Sequence, residues 1–348
     1  MATIVDVAKK AGVSKSTVSL VLNNNKRIPV STSDHVRKAM KELGYFPNSN
    51  ARGLINSHFY CFGVIECIEK EYYGSYDITH ETGTYGLNVT CGILSGLEGS
   101  PYGLITERWE NDKNNLPRLV RSKCVDGLFV IGTFNDAFLF DHIKKMSIPL
   151  VLIGRNVEGI NCIYADPGEG SVLGVEYLLQ QGHKRICFIN APSFFFSYQI
   201  RLNAICEMLR EKHIEEGRVY IETSMHNNGE GGRDAIERAW KKQGPFDGVV
   251  AANDMMAMGV LRFCYQNHIQ VPQDVSVAAY EDSVLCGYTS PSLTSVNINK
   301  ELSGRLASEM MLRLVCEKSD KVEHIQVPLS LVVRESVRDR NSEKEKKR

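Results

Sequence analysis

Several features are missing from this 348-residue chain, and each absence excludes something. No apolar run reaches the length of a membrane span, so no membrane-embedded part is expected. The first residues, MATIVDVAKKAG, hold no apolar signal-peptide core. Ten cysteines are scattered without a single C-x-x-C pair, which reads as reduced thiols used as small hydrophobes. A cytoplasmic protein is expected from these two readings. Nine histidines show no metal-ligand spacing, and G-x-G-x-x-G, P-loop, G-x-S-x-G and H-E-x-x-H motifs are all missing. The glycine-rich stretches DPGEGS (166–171) and NGEGG (228–232) have the wrong spacing for a dinucleotide loop. Glu281 and Asp282 form a carboxylate pair, but nothing places a nucleophile beside them. No catalytic residue, metal or cofactor is therefore expected.

The chain also lacks net charge, but its charges are unevenly spread. Residues 1–57 hold nine Lys/Arg against three acids, a net +6, which leaves −6 on the rest. A compact basic module on an acidic body fits a module that meets a polyanion; a solvated charged surface is the plainer alternative.

Three short helices are predicted inside that module. The first follows Thr3 as N-cap, repeats Ile4, Val7, Ala8 and Ala11 at helical spacing, and ends at Gly12. The second is capped by Ser14. The third begins near residues 31–33, buries Val36, Ala39, Met40 and Leu43, and stops at Gly44. Gly12–Val13 is too short a link to let the first two helices run apart, which is helix-turn-helix geometry. In SKSTVSLVLN (14–23), Val18, Val21 and Leu22 share one helical face. Lys15, Ser16, Ser19, Leu20 and Asn23 share the other, with Ser14 and Thr17 at the helix start. Leu20 either packs on the third helix or meets a thymine methyl in a major groove; the wheel favours the second.

The run TIVDVAKKAGVSKSTVSLVLN, followed by VRKAMKELGYFPN, resembles the N-terminus of the lactose-repressor (LacI/GalR) family of bacterial transcription regulators. Lys15 and Ser16 match the family's two variable base-reading positions. Leu20 departs from it, since arginine is usual there. Residues 47–57, PNSNARGLINS, pass alone as a tether; the resemblance makes them the hinge helix that orders on DNA. It also implies DNA contacts from Thr3, Ser14, Thr17, Ser19, Asn23, Asn48 and Ala51, with Leu54 as the wedge that opens the minor groove.

From residue 61 onward, short β-branched apolar runs alternate with amphipathic stretches. The runs are CFGVIEC, DGLFVIG, PLVLIG, RICFIN, DGVVAAN and VSVAAYED. This pattern predicts an α/β body of two doubly wound parallel-sheet lobes with a cleft at their carboxyl edges. The resemblance extends over most of the body and implies the fold of periplasmic sugar-binding proteins, crossed three times by the chain. The expected division is a helix-turn-helix domain over 1–46 and a hinge over 47–57. The first lobe is expected over 58–164 and 294–325, the second over 165–293 and 326–340, with a charged tail at 341–348. Residues 67–89, with Tyr72, Tyr73, Tyr76 and Tyr85, match the family poorly and read as an altered loop at the cleft mouth and dimer face.

The resemblance points to Phe196, Ser197, Arg201, Asn227, Asn253 and Glu281 as effector contacts. Arg201 opens a helix after the aromatic run SFFFSYQI; by itself such an arginine is a surface residue more often than a ligand group, and the resemblance makes it the ligand group. Phe194 to Phe196 either stack on a ligand ring or belong to the core. Asn253 ends a strand where such folds place ligand groups, and Asp254 beside it reads as a helix cap. Glu281 stands where the family commonly has aspartate. The function expected is a DNA-binding regulator, a repressor acting as a homodimer on a palindromic operator in double-stranded DNA. A small molecule in the cleft would control it, with a carbohydrate the first choice and a nucleobase or nucleoside the second. A cytosolic solute-binding protein and a doubly wound enzyme are the alternatives.

Overall fold

The computed structural model describes residues 2–22, 27–45, 58–67, 85–110, 115–132, 137–193, 195–318 and 321–341. The expectations for Asn23, Asn48, Ala51, Leu54, Tyr72, Tyr73, Tyr76 and Phe194 fall outside them. The chain divides into two compact units, residues 1–60 and 61–348.

The first unit holds α1 (Ile4–Ala11), α2 (Lys15–Leu22) and α3 (Val30–Leu43). Thr3 caps α1 through a reciprocal pair: its hydroxyl accepts from the Asp6 amide at 3.4 Å, and its own amide donates to the Asp6 carboxylate at 2.8 Å. Gly12 and Gly44 end α1 and α3 with φ of 67° and 59°, the left-handed turn that glycine adopts without strain. Val7, Ala8, Val18, Val21, Val36 and Ala39 form the core of this unit, with Leu22, Met40 and Leu43 packed half-buried against it.

The second unit contains two six-stranded sheets. The first has the order β11-β5-β4-β3-β1-β2, and its described pairs are all parallel. Its strands are β1 (Cys61–Cys67), β2 (Gly103–Trp109), β3 (Gly127–Ile131), β4 (Leu150–Ile153), β5 (Asn161–Tyr164) and β11 (His324–Gln326). The helices α4 (Tyr85–Gly96), α5 (Arg118–Ser122), α6 (Ala137–Lys145) and α11 (Lys300–Cys316) accompany it. The second sheet has the order β12-β10-β9-β8-β6-β7 and is parallel except at the β10–β12 edge. It comprises β6 (Ile186–Asn190), β7 (Val219–Thr223), β8 (Gly248–Ala251), β9 (Ser276–Glu281), β10 (Thr294–Asn297) and β12 (Ser330–Val332). The helices α7 (Pro167–Gln180), α8 (Phe196–Glu211), α9 (Gly229–Gln243) and α10 (Asp254–Gln266) cover it. Every residue of β3, β4, β6 and β8 is buried, which is why these strands read as unbroken apolar runs.

The boundary expected after residue 293 needs correction. Residues 294–297 form β10, which pairs with β9 in the second sheet rather than joining the first lobe. Hydrogen bonds hold it there: Ser295 Oγ donates to the Asp254 carboxylate at 2.6 Å, and the Thr294 amide donates to Ser336 Oγ at 2.8 Å. The chain therefore crosses between sheets after Asn297. The other crossings lie between β5 and α7 and between β11 and β12.

Candidate DNA-reading face and effector cleft

At the start of α2, Ser14 Oγ accepts from the Thr17 amide at 3.1 Å and lies 2.8 Å from the hydroxyls of both Ser16 and Thr17. Three hydroxyls and the free amides of a helix N-terminus thus converge, a donor-rich tip suited to phosphate and base edges. Lys15 and Ser16 are exposed beside it and Ser19 is half-buried. Val18 and Val21 are buried at 0% and 3%, whereas Leu20 is 38% exposed. Leu20 therefore stands out from the unit's own core, as its place on the wheel predicts. Thr3 is exposed beside its α1 cap and holds the Asp6 carboxyl below its usual range by hydrogen bonding.

In the second unit the candidate effector residues follow the carboxyl ends of neighbouring strands. Phe196 and Arg201 lie in the first turns of α8 after β6, and Ser197 there is buried. Asn227 follows β7, Asn253 follows β8 and Glu281 ends β9. The topology alone gathers these strand ends along one edge of the sheet.

Asn253 is the N-cap of α10: its Oδ1 accepts from the Met256 amide at 2.7 Å while its Nδ2 donates to Asn227 Oδ1 at 2.9 Å. The expected cap, Asp254, has another task. Its carboxylate accepts from the Ser283 amide and Ser295 Oγ, both at 2.6 Å, and so ties α10 to the turn after β9 and to β10. A cap must precede the first helical turn, and Asp254 is already inside it.

Arg201 is 6% exposed, its guanidinium carbon lies 5.0 Å from the centre of the Tyr280 ring, and its Nε has no hydrogen-bond partner among the described residues. Burial lowers its affinity for a proton. Glu281 sits at φ 108° and Asp282 at φ 51°, two successive left-handed residues that turn the chain sharply out of β9. Burial, with Asp254 nearby, pushes the Glu281 carboxyl up to about 7, while Lys300 and Arg201 pull the other way. Asp282 points elsewhere: its carboxylate is 2.7 Å from Arg334 and accepts from Asn297 Nδ2 at 3.1 Å.

The first lobe contributes Arg155, two residues after β4, whose guanidinium lies 5.0 Å from the Phe196 ring centre. Tyr85, the first residue of α4, is held by burial, and by Tyr280 and Glu281 nearby, well above the usual phenol range. Lys300, the first residue of α11, is 7% exposed and its Nζ donates to the Glu281 carbonyl oxygen. Sequence reasoning missed Tyr280, Lys300 and Arg155 as site residues, and it put Tyr85 in a loop over 67–89 at the cleft mouth, whereas Cys67 ends β1 and Tyr85 opens α4. Tyr280 hides within an apolar strand, and a lysine opening a helix looks like a surface residue. Among the described residues, no group of three or more His, Cys, Asp or Glu is arranged to hold a metal ion. No described helix is long and apolar enough to cross a membrane.

Comparison with known proteins accounts for both units. Residues 3–48 match the lacI family of bacterial regulatory proteins, and residues 175–337 match a periplasmic binding protein-like domain. The probable HTH-type transcriptional repressor ExuR of Bacillus subtilis (strain 168) is 30% identical over 342 residues, covering 97% of this chain and 99% of the relative. The ribose operon repressor of Escherichia coli (strain K12) is 27% identical, covering 97% of this chain and 100% of its own. Among solved structures, the lac repressor dimer bound to operator and the anti-inducer ONPF superposes with a TM-score of 0.80 at 23% identity, over 97% of this chain and 99% of its own. The CelR–cellobiose complex does so at 0.67 and 24%, over 97% and 100%. At these identities the two structures establish the fold. The chain belongs to the lacI family of bacterial transcription regulators.

Proposed function

We propose that the chain is a cytoplasmic repressor that binds a palindromic operator as a homodimer and is switched by a sugar in the cleft between its two lobes. One observation carries the effector site: Arg201 is buried at a strand-end cleft with a guanidinium nitrogen left unsatisfied, beside a phenol ring and a carboxyl. A buried donor without a partner costs free energy, and a ligand acceptor offsets that cost. Cleft sites of this kind place a few convergent polar groups on apolar walls, and Phe196, Tyr85 and Tyr280 supply such walls. Relatives of the same fold were solved with cellobiose, ribose and glucose. Two copies of the α2 face suit two half-sites of one operator. The effector acts by binding two lobe arrangements unequally, which biases the DNA-binding form.

The test is selection of bound genomic fragments, then titration of that complex with sugars and nucleobases. One sugar is expected to change operator affinity in the wild type, and Arg201→Ala is expected to abolish the response while leaving ligand-free operator binding intact. An Arg201→Ala protein that still responds with unchanged ligand affinity would place the effector elsewhere.

A further inference from the structure

Resting on the reading that this cleft holds the effector, we infer that the effector is a sugar acid whose carboxylate is held between Arg201 and Lys300. Two cationic side chains are buried here, at 6% and 7% exposure, and neither has a contact ion pair among the described residues. Arg201 lies over a neutral ring with its Nε unpartnered, and Lys300 donates to a neutral carbonyl oxygen. Burying a cation without an anion is costly, so the arrangement calls for a negative partner.

The carboxylates of the chain do not fill that role. Asp254 is satisfied by a backbone amide and a serine hydroxyl, and Asp282 is taken by Arg334 and Asn297. Glu281 is the remaining candidate. Its carboxylate makes no contact ion pair with either cation among the described residues, although all three lie close together, and burial with Asp254 nearby pushes that carboxyl up. The two cations are thus left for an anion from outside, while Glu281 and the Asn227 amide remain to meet hydroxyl groups. Arg155, held over Phe196 on the opposite lobe, adds a further positive group to the same cleft. Arg201, Lys300 and Arg155 set three positive charges against the carboxylates of Asp254 and Glu281, a net charge of +1 when both are ionised. That suits a carboxylate monoanion better than a phosphate dianion.

The experiment uses the full chain and matched probes: glucose with glucuronate and gluconate, galactose with galacturonate, and a phosphorylated glucose. Thermal shift ranks them and calorimetry gives affinities. At least one sugar acid is expected to bind where its neutral parent does not. Lys300→Met is expected to weaken that binding by about tenfold to a hundredfold, the loss of one charge-assisted hydrogen bond. Circular dichroism checks folding, and Lys300→Gln, which keeps a donor amide, serves the same assay if the methionine variant is unfolded. Binding by a neutral sugar and no sugar acid overturns the inference and leaves the cleft reading standing, provided that Arg201→Ala removes that binding. Preference for the phosphorylated sugar, sugar-acid binding indifferent to Lys300, or no binding by any sugar acid overturns it as well.

Discussion

At the scale of single residues, Leu20 and Glu281 each offer a direct test. Leu20 stands free of the core on the exposed face of α2. Leu20→Arg should exchange an apolar contact for a guanidinium fork, changing the preferred base at one symmetric pair of operator positions. An unchanged profile in a binding-site selection would show that Leu20 reads nothing. Glu281 gives a pH test. Its carboxyl binds a proton more tightly folded than unfolded, so between about 4.5 and about 7 the folded state holds more protons and its stability falls as pH rises. Glu281→Gln removes the buried charge. It should stabilise the unliganded protein at pH 8, by up to about 3 kcal/mol if the whole shift is recovered, and change little near pH 4. Melting curves at the two pH values check this; equal effects at both would place the Glu281 charge in a solvated setting.

At the scale of elements, one helix pair in each lobe is in backbone contact through glycine. A Cβ on Gly304 of α11 would stand 2.1 Å from the Val89 carbonyl oxygen on α4, and one on Gly92 would stand 2.1 Å from that of Glu301. In the second lobe, Gly232 of α9 and Gly259 of α10 meet backbone atoms as closely. Gly304→Ala must push α4 and α11 apart, costing about 1–3 kcal/mol, the scale of an overpacked core. Denaturant unfolding measures the loss, and a change within error would show that the pair separates freely. The hinge is a second element to test. Leu54→Ala should weaken specific operator binding by about 1–3 kcal/mol, as loss of one minor-groove wedge, with the melting temperature unchanged; unaltered affinity would make residues 47–57 a tether.

Elements also show what the sequence made legible. The six apolar runs became β1, β3, β4, β6, β8 and β9, the inner strands, because strands covered on both faces admit little but apolar residues. The strands GLITERW, NCIY, VYIET, TSVN, HIQ and SLV went unread. They lie at or next to the sheet edges, and each is either only three or four residues long or half-buried to exposed along most of its length, so none leaves a long apolar run. The site was legible in the same uneven way: motif positions pointed to Arg201 and Glu281. Lys300 and Arg155 reach the cleft only through tertiary packing, which no local pattern encodes.

At the scale of the whole molecule, charge and chain order dominate. The basic first unit should make operator binding steeply salt-dependent. With six to ten phosphates neutralised by the dimer, affinity should drop about a thousandfold or more between about 50 and 200 mM salt. Filter binding across that range checks it, and a flat response would remove electrostatics from recognition. The order of the strands along the chain has a different consequence. The edge strands β11 and β12 are the last to be made, yet one completes the first sheet and the other the second. Ser336, later still, donates to the Val277 carbonyl oxygen at 2.6 Å and so fastens the second sheet from beyond its last strand. The three-helix unit, by contrast, closes its core within the first 45 residues. During synthesis the three-helix unit is finished early, and both lobes wait for β11 and β12, which follow every other described strand.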